Sequence, residues 1–129
     1  MENIQLLNNL ENSSTAKDLA GKYGFYLTQK PSKDFYLEFN DHTLQLTKKD
    51  EKSSVIVDFT SIQALKRVNE QGILKQDFIK AVGLNKNKDL SIIDATAGLG
   101  RDSFILASIT TKSVLMLERN PIANALLNN

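Results

Sequence analysis

The sequence predicts an α/β protein in two parts. A small N-terminal α+β lobe with antiparallel strands comes first, followed by the first strand–helix–strand–helix of a parallel sheet. Between positions 25 and 57, apolar residues alternate with polar ones, which is typical of antiparallel strands with one buried face. From position 90 onward, two short apolar runs flank a glycine-containing turn and a helical pattern, which indicates a parallel β-α-β unit. We place the lobe at 1–60, a helical connector at 61–89 and the start of the parallel sheet at 90–129.

The N-terminal lobe is predicted to contain one helix and an antiparallel meander. Thr15 and Asp18 have the spacing of a helix capping box, and Gly24 lies where that helix would end. Turn-forming residues at 31–34 and 40–42 separate the strands, and residues 55–57 are expected to add a fourth. The first three strands are predicted from apolar side chains that share a face: Phe25 and Leu27; Phe35, Leu37 and Phe39; Leu44 and Leu46.

The aromatic residues of these strands have two possible uses. They could form a surface on which RNA bases stack. The alternation favours a core position for Phe25, Phe35 and Phe39, with Tyr26 and Tyr36 facing outward. The mixed-charge segment 48–52 is likewise expected to be a solvated loop, with RNA contact as the alternative.

The connector has the period of a helix. Apolar residues recur every three or four positions from 61 to 83, which predicts an amphipathic helical region. Gly72 is expected to divide or bend this region, and Gly83 to end it. The residues expected on its buried face are Ile62, Leu65, Val68, Leu74, Phe78 and Val82.

Composition excludes several classes of protein. With 41% hydrophobic and 24% charged residues, the chain is of ordinary globular composition, and no apolar run approaches the roughly 18 residues of a membrane-spanning helix. The absence of cysteine excludes disulfides and thiolate catalysis, and the single histidine, His42, is expected in a turn. We therefore expect a cytoplasmic protein with no metal site. The net charge of +1 permits a nucleic-acid partner without requiring one.

The segment from Leu90 onward carries the pattern of a nucleotide-binding sheet. An apolar strand ends at Asp94, a turn with Gly98 and Gly100 follows, and a second apolar strand ends at Glu118. Glycines at such a turn let the backbone approach a ligand closely, and an acid ending the second strand can accept hydrogen bonds from both ribose hydroxyls. Because strands, helix and acid are in register, we predict a ligand that contains a nucleoside.

The acids of this segment favour one such ligand. A dinucleotide is not excluded, because Ser103 is small enough for the third position of that fingerprint. Asp94 and Asp102, however, would lie where a pyrophosphate normally binds and would repel it. S-adenosylmethionine (SAM) has a sulfonium, an amino group and a ribose but no phosphate. Asp94, Asp102 and Glu118 therefore suit SAM better.

The same residues closely resemble those of the RsmJ-type methyltransferases. The resemblance is most specific at 94–102, with the sequence DATAGLGRD, and at 116–121, with the sequence MLERNP, and it extends to Leu127. It implies a Rossmann-like class I methyltransferase sheet that is truncated here. It also implies methylation of a guanine N2 in bacterial 16S ribosomal RNA with SAM, on small-subunit RNA or the 30S subunit. The implied cofactor-binding residues are Gly98, Gly100, Arg101, Asp102, Glu118 and Arg119, to which the reasoning above adds Asp94.

These assignments have structural alternatives. Arg101 and Arg119 could be ordinary surface residues, Asp102 a helix-start carboxylate, and Asp94 only an acceptor for loop amides. Glu118 is the firmest assignment, since a carboxylate ending an apolar strand has little structural reason to be there.

Two departures from the family pattern bear on activity. Between positions 60 and 75 the family has a Gly-rich segment with His and several Arg, of which Lys66, Arg67, Gly72 and Lys75 retain the character. The sequence also contains no Asp-Pro catalytic loop, so we expect an N-terminal portion of an enzyme that is inactive alone, with a C-terminal part of the same enzyme as a possible partner. The alternatives are a non-catalytic remnant or RNA- or protein-binding module with a vestigial cofactor motif, and a nicotinamide-binding protein.

Overall fold

The computed structural model describes residues 3–129, whose contacts form two compact units. The first unit comprises the described residues up to Val57 together with Pro121–Asn129, and the second comprises Asp58–Asn120. Within the described residues, no helix is long and apolar enough to cross a membrane. The ranges 1–60, 61–89 and 90–129 remain a prediction about domain organisation.

The first unit contains a mixed five-stranded sheet. The strands are β1 (Gln5–Leu7), β2 (Tyr26–Thr28), β3 (Phe35–Asn40), β4 (Thr43–Lys48) and β5 (Ser54–Val55), in the order β2-β1-β3-β4-β5. β1 pairs in parallel with both β2 and β3, whereas β3, β4 and β5 pair antiparallel. The turn between β3 and β4 contains Asp41, whose φ of 53° is left-handed, and His42, as expected.

The predicted meander is therefore wrong at its first strand. β2 does not pair with β3, because β1 lies between them. A three-residue strand in a polar segment is too short to show alternation, so nothing in the sequence indicated it. The antiparallel hairpin β3–β4 and a further strand at the end of the lobe are confirmed, although β5 is shorter than predicted.

Two helices belong to the first unit: α1 (Ser13–Tyr23) and α5 (Pro121–Leu127). The predicted capping box is wrong, since α1 begins two residues before Thr15, and its cap residue Asn12 makes no side-chain capping bond. The predicted end at Gly24 is confirmed, as is Pro121 at the start of α5. α5 packs on α1 and β4, and the Tyr23 hydroxyl lies 2.9 Å from Asn124 Oδ1.

The core of the first unit lies on one face of its sheet. The predicted face of β3 is buried at Leu37 and Phe39 but not at Phe35, which is 56% exposed. The core therefore stops before the open end of the β3–β4 hairpin, which lies opposite its turn and where Phe35 pairs with Lys48. The buried apolar residues of this unit are Leu6, Ala16, Phe25, Leu37, Phe39, Leu44, Ala125 and Leu126.

The second unit is a parallel pair of strands with helices. It contains α2 (Ile62–Val68), a 3-10 turn (Ile73–Lys75), α3 (Asp77–Val82), β6 (Ile92–Asp94), α4 (Arg101–Ile109) and β7 (Val114–Met116). β6 and β7 pair in parallel, as predicted. The core comprises Ile79, Leu84, Ile105 and Leu106, with Ile92 and Val114 of the strands packed against it.

The predicted helical region is divided as expected but buries fewer residues. Gly72 separates α2 from the 3-10 turn, and Gly83 ends α3, both with left-handed backbone. Ile62, Leu65 and Val82, predicted on a buried face, are all exposed. α2 is only two turns long and contacts α4 without burying any of its residues, so its apolar period overestimated burial.

Candidate cofactor-binding site

The glycine turn joins β6 to α4 and is held by backbone bonds at both ends. The Leu117 amide donates to the Asp94 carbonyl (2.8 Å), and the Ala97 amide donates to the Leu117 carbonyl (3.1 Å). The turn then closes with a bond from the Gly100 amide to the Ala97 carbonyl (2.7 Å). The segment that follows β7 is therefore hydrogen-bonded through its backbone to the turn that follows β6.

The two glycines give this turn its shape. Gly98 and Gly100 have φ angles of 56° and 72°, which are left-handed and costly for residues with a side chain. A Cβ built on Gly98 would meet no other atom within 4 Å, so the space beside that backbone is open. Open space beside an accessible backbone is what a ligand that packs against the turn requires.

Glu118 binds the glycine turn directly. Its Oε2 accepts a hydrogen bond from the Gly98 amide (2.7 Å), and its Oε1 accepts one from the Asn120 amide (2.7 Å). Glu118 thus has a structural role that the sequence did not predict. An ionised carboxylate only accepts hydrogen bonds, and each of its oxygens can accept more than one.

Backbone amides also keep Glu118 ionised. The Asn120 amide and then the Gly98 amide lower the pKa of Glu118, since each donates to the charged form. Arg119 adds a smaller attraction in the same direction. At neutral pH the site therefore presents an acceptor-only group.

Asp94 is held by the first turn of α4. Its Oδ2 accepts from the hydroxyl of Ser103 (2.5 Å), and its Oδ1 accepts from the Thr96 amide (3.1 Å). Ser103 is almost fully buried, so the rotamer of Asp94 is fixed from inside the unit. The expectation that Asp94 accepts from loop amides is met at Thr96, and the bond to Ser103 adds a partner that sequence reasoning missed.

Asp102 lies on α4 next to a cation of the helical segment. Arg67 of α2 places Nη2 3.8 Å from Asp102 Oδ1, and both side chains are more than half exposed. Two residues after Asp102, Phe104 stacks on the ring of Phe59 with centroids 4.8 Å apart. Residues 58–68 are therefore attached to the helix that follows the glycine turn, by one aromatic and one ionic contact.

The two arginines of the predicted set are exposed. Arg101 is the first residue of α4, directly after Gly100, and Arg119 follows Glu118. The structure thus places all seven predicted residues in one unit, at the ends of its two strands and the start of α4. Sequence reasoning did not predict that Ser103 and Phe59 support the site, through Asp94 and Phe104 respectively. The three-residue, helical spacing between Gly100 and Ser103 was a signal that could have placed Ser103 near the turn.

Comparison with known proteins identifies the family. The model of the SAM_MT family, described as SAM-dependent methyltransferase, matches residues 19–129. The chain belongs to this methyltransferase family. The descriptions of the SAM_MT family and of the solved relative below both name SAM, which agrees with the cofactor predicted from Asp94, Asp102 and Glu118.

Curated relatives that match this chain carry the name ribosomal RNA small subunit methyltransferase J. The relative from Alteromonas mediterranea is 39% identical, over 92% of this chain and 48% of its own. The relative from Colwellia psychrerythraea is 41% identical, over 91% of this chain and 46% of its own. The predicted resemblance to RsmJ-type enzymes is confirmed, and the chain spans about half the length of these relatives.

A solved structure supports the fold. A SAM-dependent methyltransferase from Neisseria gonorrhoeae is 34% identical and superimposes with a TM-score of 0.73. The match covers 96% of this chain and 50% of that protein. The predicted α/β class, with the start of a Rossmann-like sheet, is confirmed.

Proposed function

We propose that this chain supplies the SAM-binding part of a methyltransferase that acts on a guanine N2 of bacterial 16S ribosomal RNA. The observation that carries the proposal is the turn formed by Gly98 and Glu118, which joins open backbone space to an ionised acceptor. Family membership and the names of the relatives support the reaction class and the RNA substrate. Small-subunit RNA or the 30S subunit is the proposed partner, and the bacterial cytoplasm the proposed location.

The residues of the turn fit the chemical groups of SAM. The ribose of SAM offers two hydroxyl donors, and the Glu118 carboxylate, which only accepts hydrogen bonds, is proposed to receive them. Its amino group is cationic, and Asp94 and Asp102 are the nearest acids to the glycine turn in the sequence. No phosphate has to be accommodated, so the two acids carry no penalty.

We assign a separate task to each residue of the site. Gly98 and Gly100 shape the turn, Glu118 orients the ribose, and Asp94 with Asp102 attract the amino-acid end. Arg101, next to Asp102, and Arg119, next to Glu118, are proposed to bind the carboxylate of SAM. When bound, SAM supplies an electrophilic methyl group on its sulfonium.

No catalytic residue is assigned within residues 1–129. Transfer to a guanine requires the target nitrogen to be held at roughly 3–3.5 Å from the methyl carbon, which needs a pocket for the base as well as for the cofactor. We assign all seven site residues to binding of the cofactor. We propose that this chain alone binds SAM but does not methylate RNA.

Calorimetric titration with SAM and with NAD tests this assignment. We expect SAM to bind and NAD not to bind, with Glu118→Ala weakening SAM about tenfold or more, because the ribose loses its acceptor. Glu70→Ala, which removes an exposed acid of the same unit, is the matched control and should leave the affinity unchanged. Binding of neither ligand would favour the binding-module alternative, and binding of NAD the nicotinamide alternative.

A methyl-transfer assay tests the second part. We incubate residues 1–129 with tritiated SAM and 30S subunits and measure incorporation into RNA against a boiled control. Incorporation at a single guanine would contradict the proposal that this chain is inactive alone.

A further inference from the structure

A cavity of about 450 Å³ opens in the first unit, at the end of the sheet where its core stops. Its apolar lining includes Ile4, Phe35 and Leu46. Its polar rim includes Ser32, Lys33 and Asp34. The cavity belongs wholly to the first unit and contains none of the seven cofactor-site residues.

Phe35 exposes an aromatic surface inside this cavity. Its ring is 56% exposed, although Leu37 and Phe39 on the same face of β3 are buried. The ammonium of Lys48 lies over one face of this ring, 5.9 Å from the centroid, and is paired with Glu51, which leaves the other face for a base. An aromatic ring with a cation beside it is the arrangement on which nucleic-acid bases stack in single-stranded complexes.

Hydrogen bonds with the buried side chain of Gln5 order the rim of the cavity. Gln5 is 92% buried, and its Oε1 accepts hydrogen bonds from the amides of Ser32 (2.8 Å) and Lys33 (3.0 Å). Its Nε2 donates to Ser32 Oγ (3.1 Å), so one buried side chain orders the whole turn. The Asp34 carbonyl accepts from the Lys49 amide (2.7 Å), which fixes the other end of the rim to the segment after β4. A rim fixed in this way limits the ordering cost of binding.

The charges of the rim complement a nucleotide. Lys33 lies on the rim of the cavity, and Lys48 lies over the ring of Phe35, where its ammonium is also paired with Glu51. The Asp34 carboxylate accepts hydrogen bonds, and every RNA base carries at least one N–H donor on its Watson–Crick edge. A protein segment would instead need a larger continuous apolar patch than a cavity with a charged rim provides.

We propose that this cavity binds one unpaired nucleotide of RNA, with its base stacked on Phe35 and its phosphate near Lys33. The volume is within the range of small-molecule sites and suits a single nucleotide. This inference rests on the proposed function, because it gives the N-terminal lobe a share in recognising the RNA substrate. Single-stranded segments are the usual targets of sequence-specific RNA recognition, which favours an unpaired nucleotide over a duplex.

The test measures binding of a fluorescently labelled single-stranded RNA oligonucleotide of mixed sequence to the 129-residue chain by anisotropy. Phe35→Ala should weaken binding at least about fivefold, the loss expected for one stacked base. Tyr26→Ala is the matched control, because Tyr26 is 57% exposed on β2 and does not line the cavity. Phe35→Tyr, which keeps the ring, should bind like the unmodified chain, and thermal melting of all variants checks that they fold.

Salt dependence gives a second readout. Lys33→Ala should lower the slope of log affinity against log salt by about 0.7, the value for one phosphate contact on a single strand. The proposal would be overturned if Phe35→Ala and Tyr26→Ala lowered the RNA affinity equally. It would also be overturned if the unmodified chain bound no single-stranded RNA.

The failure of this inference can be told apart from failure of the proposed function. SAM affinity, measured by calorimetry on the same variants, should not respond to Phe35→Ala. A chain that binds SAM but whose RNA binding is indifferent to Phe35 contradicts only the cavity proposal. A chain whose RNA binding depends on Phe35 but which does not bind SAM supports the cavity proposal and contradicts the cofactor assignment.

Discussion

Replacing Ser103 by alanine should destabilise the second unit through Asp94. Ser103 is 2% exposed and donates its hydroxyl to Asp94 Oδ2 at 2.5 Å. A hydrogen bond to an ionised group contributes about 1.5–3 kcal/mol, and the variant leaves that oxygen without its partner. Asp94 is itself partly exposed, so water can replace some of the lost bond.

A second effect has the opposite sign. Alanine is a better helix former than serine by about 0.5 kcal/mol, and Ser103 lies within α4. The net loss expected for Ser103→Ala is therefore about 1–2 kcal/mol in the free energy of unfolding. The site should be affected as well, because Asp94 loses the contact that fixes its rotamer, and SAM affinity should fall in parallel.

Urea denaturation followed by circular dichroism measures the unfolding free energy. Ser108→Ala on the same helix is the matched control, since its hydroxyl donates only to the Ile105 carbonyl of its own helix (2.6 Å). We expect Ser108→Ala to be neutral or slightly stabilising. In an Asp94→Asn background, Ser103→Ala should cost less than in the unmodified chain. Equal stabilities for Ser103→Ala and Ser108→Ala would refute the proposed coupling of Ser103 to Asp94.

Three further outcomes are expected in the second unit. Gly98→Val should abolish SAM binding in calorimetry, because it combines an unfavourable φ of 56° with a side chain in the open space. Hydrogen bonds from backbone amides lower the pKa of Glu118, so its carboxylate is protonated at a lower pH in the folded form than in the unfolded form. In a pH titration, the amide NMR signal of Gly98 should therefore shift only at pH values below the usual pKa range of glutamate. Arg67→Ala should change the unfolding free energy by less than about 1 kcal/mol, no more than Lys66→Ala, because its pair with Asp102 is exposed.

The order of elements around the glycine turn was predictable because its signals are local. An apolar run, two glycines, a helical period and a terminal acid each depend on neighbouring residues, and α4, β7 and α5 begin where these signals lie. The bond between Glu118 and Gly98 spans twenty residues and left no trace in the spacing of either. Sequence reasoning therefore proposed Glu118 as a ribose ligand and missed that it also holds the turn in place.

Errors in the first unit arose where tertiary contacts decided the outcome. β1 is three residues long, and its place between β2 and β3 depends on pairing with strands that are distant in sequence. The alternation placed Phe35 with Leu37 and Phe39 correctly on one face. It could not show that the core ends before Phe35, because the extent of a core depends on which helices cover the sheet.

The apolar runs of β6 and β7 indicate more burial of these strands than the structure shows. Parallel strands that are covered on both faces have nearly continuous apolar sequences, and the runs ending at Asp94 and Glu118 are of this kind. Ile92 and Val114 do pack on the core, whereas Ile93 and Leu115, paired on the opposite face, are more than half exposed. The sequence thus has apolar residues for two covered faces, and one of them is covered in this chain. The apolar runs therefore indicated the two strands correctly, whereas burial on both faces did not follow from them.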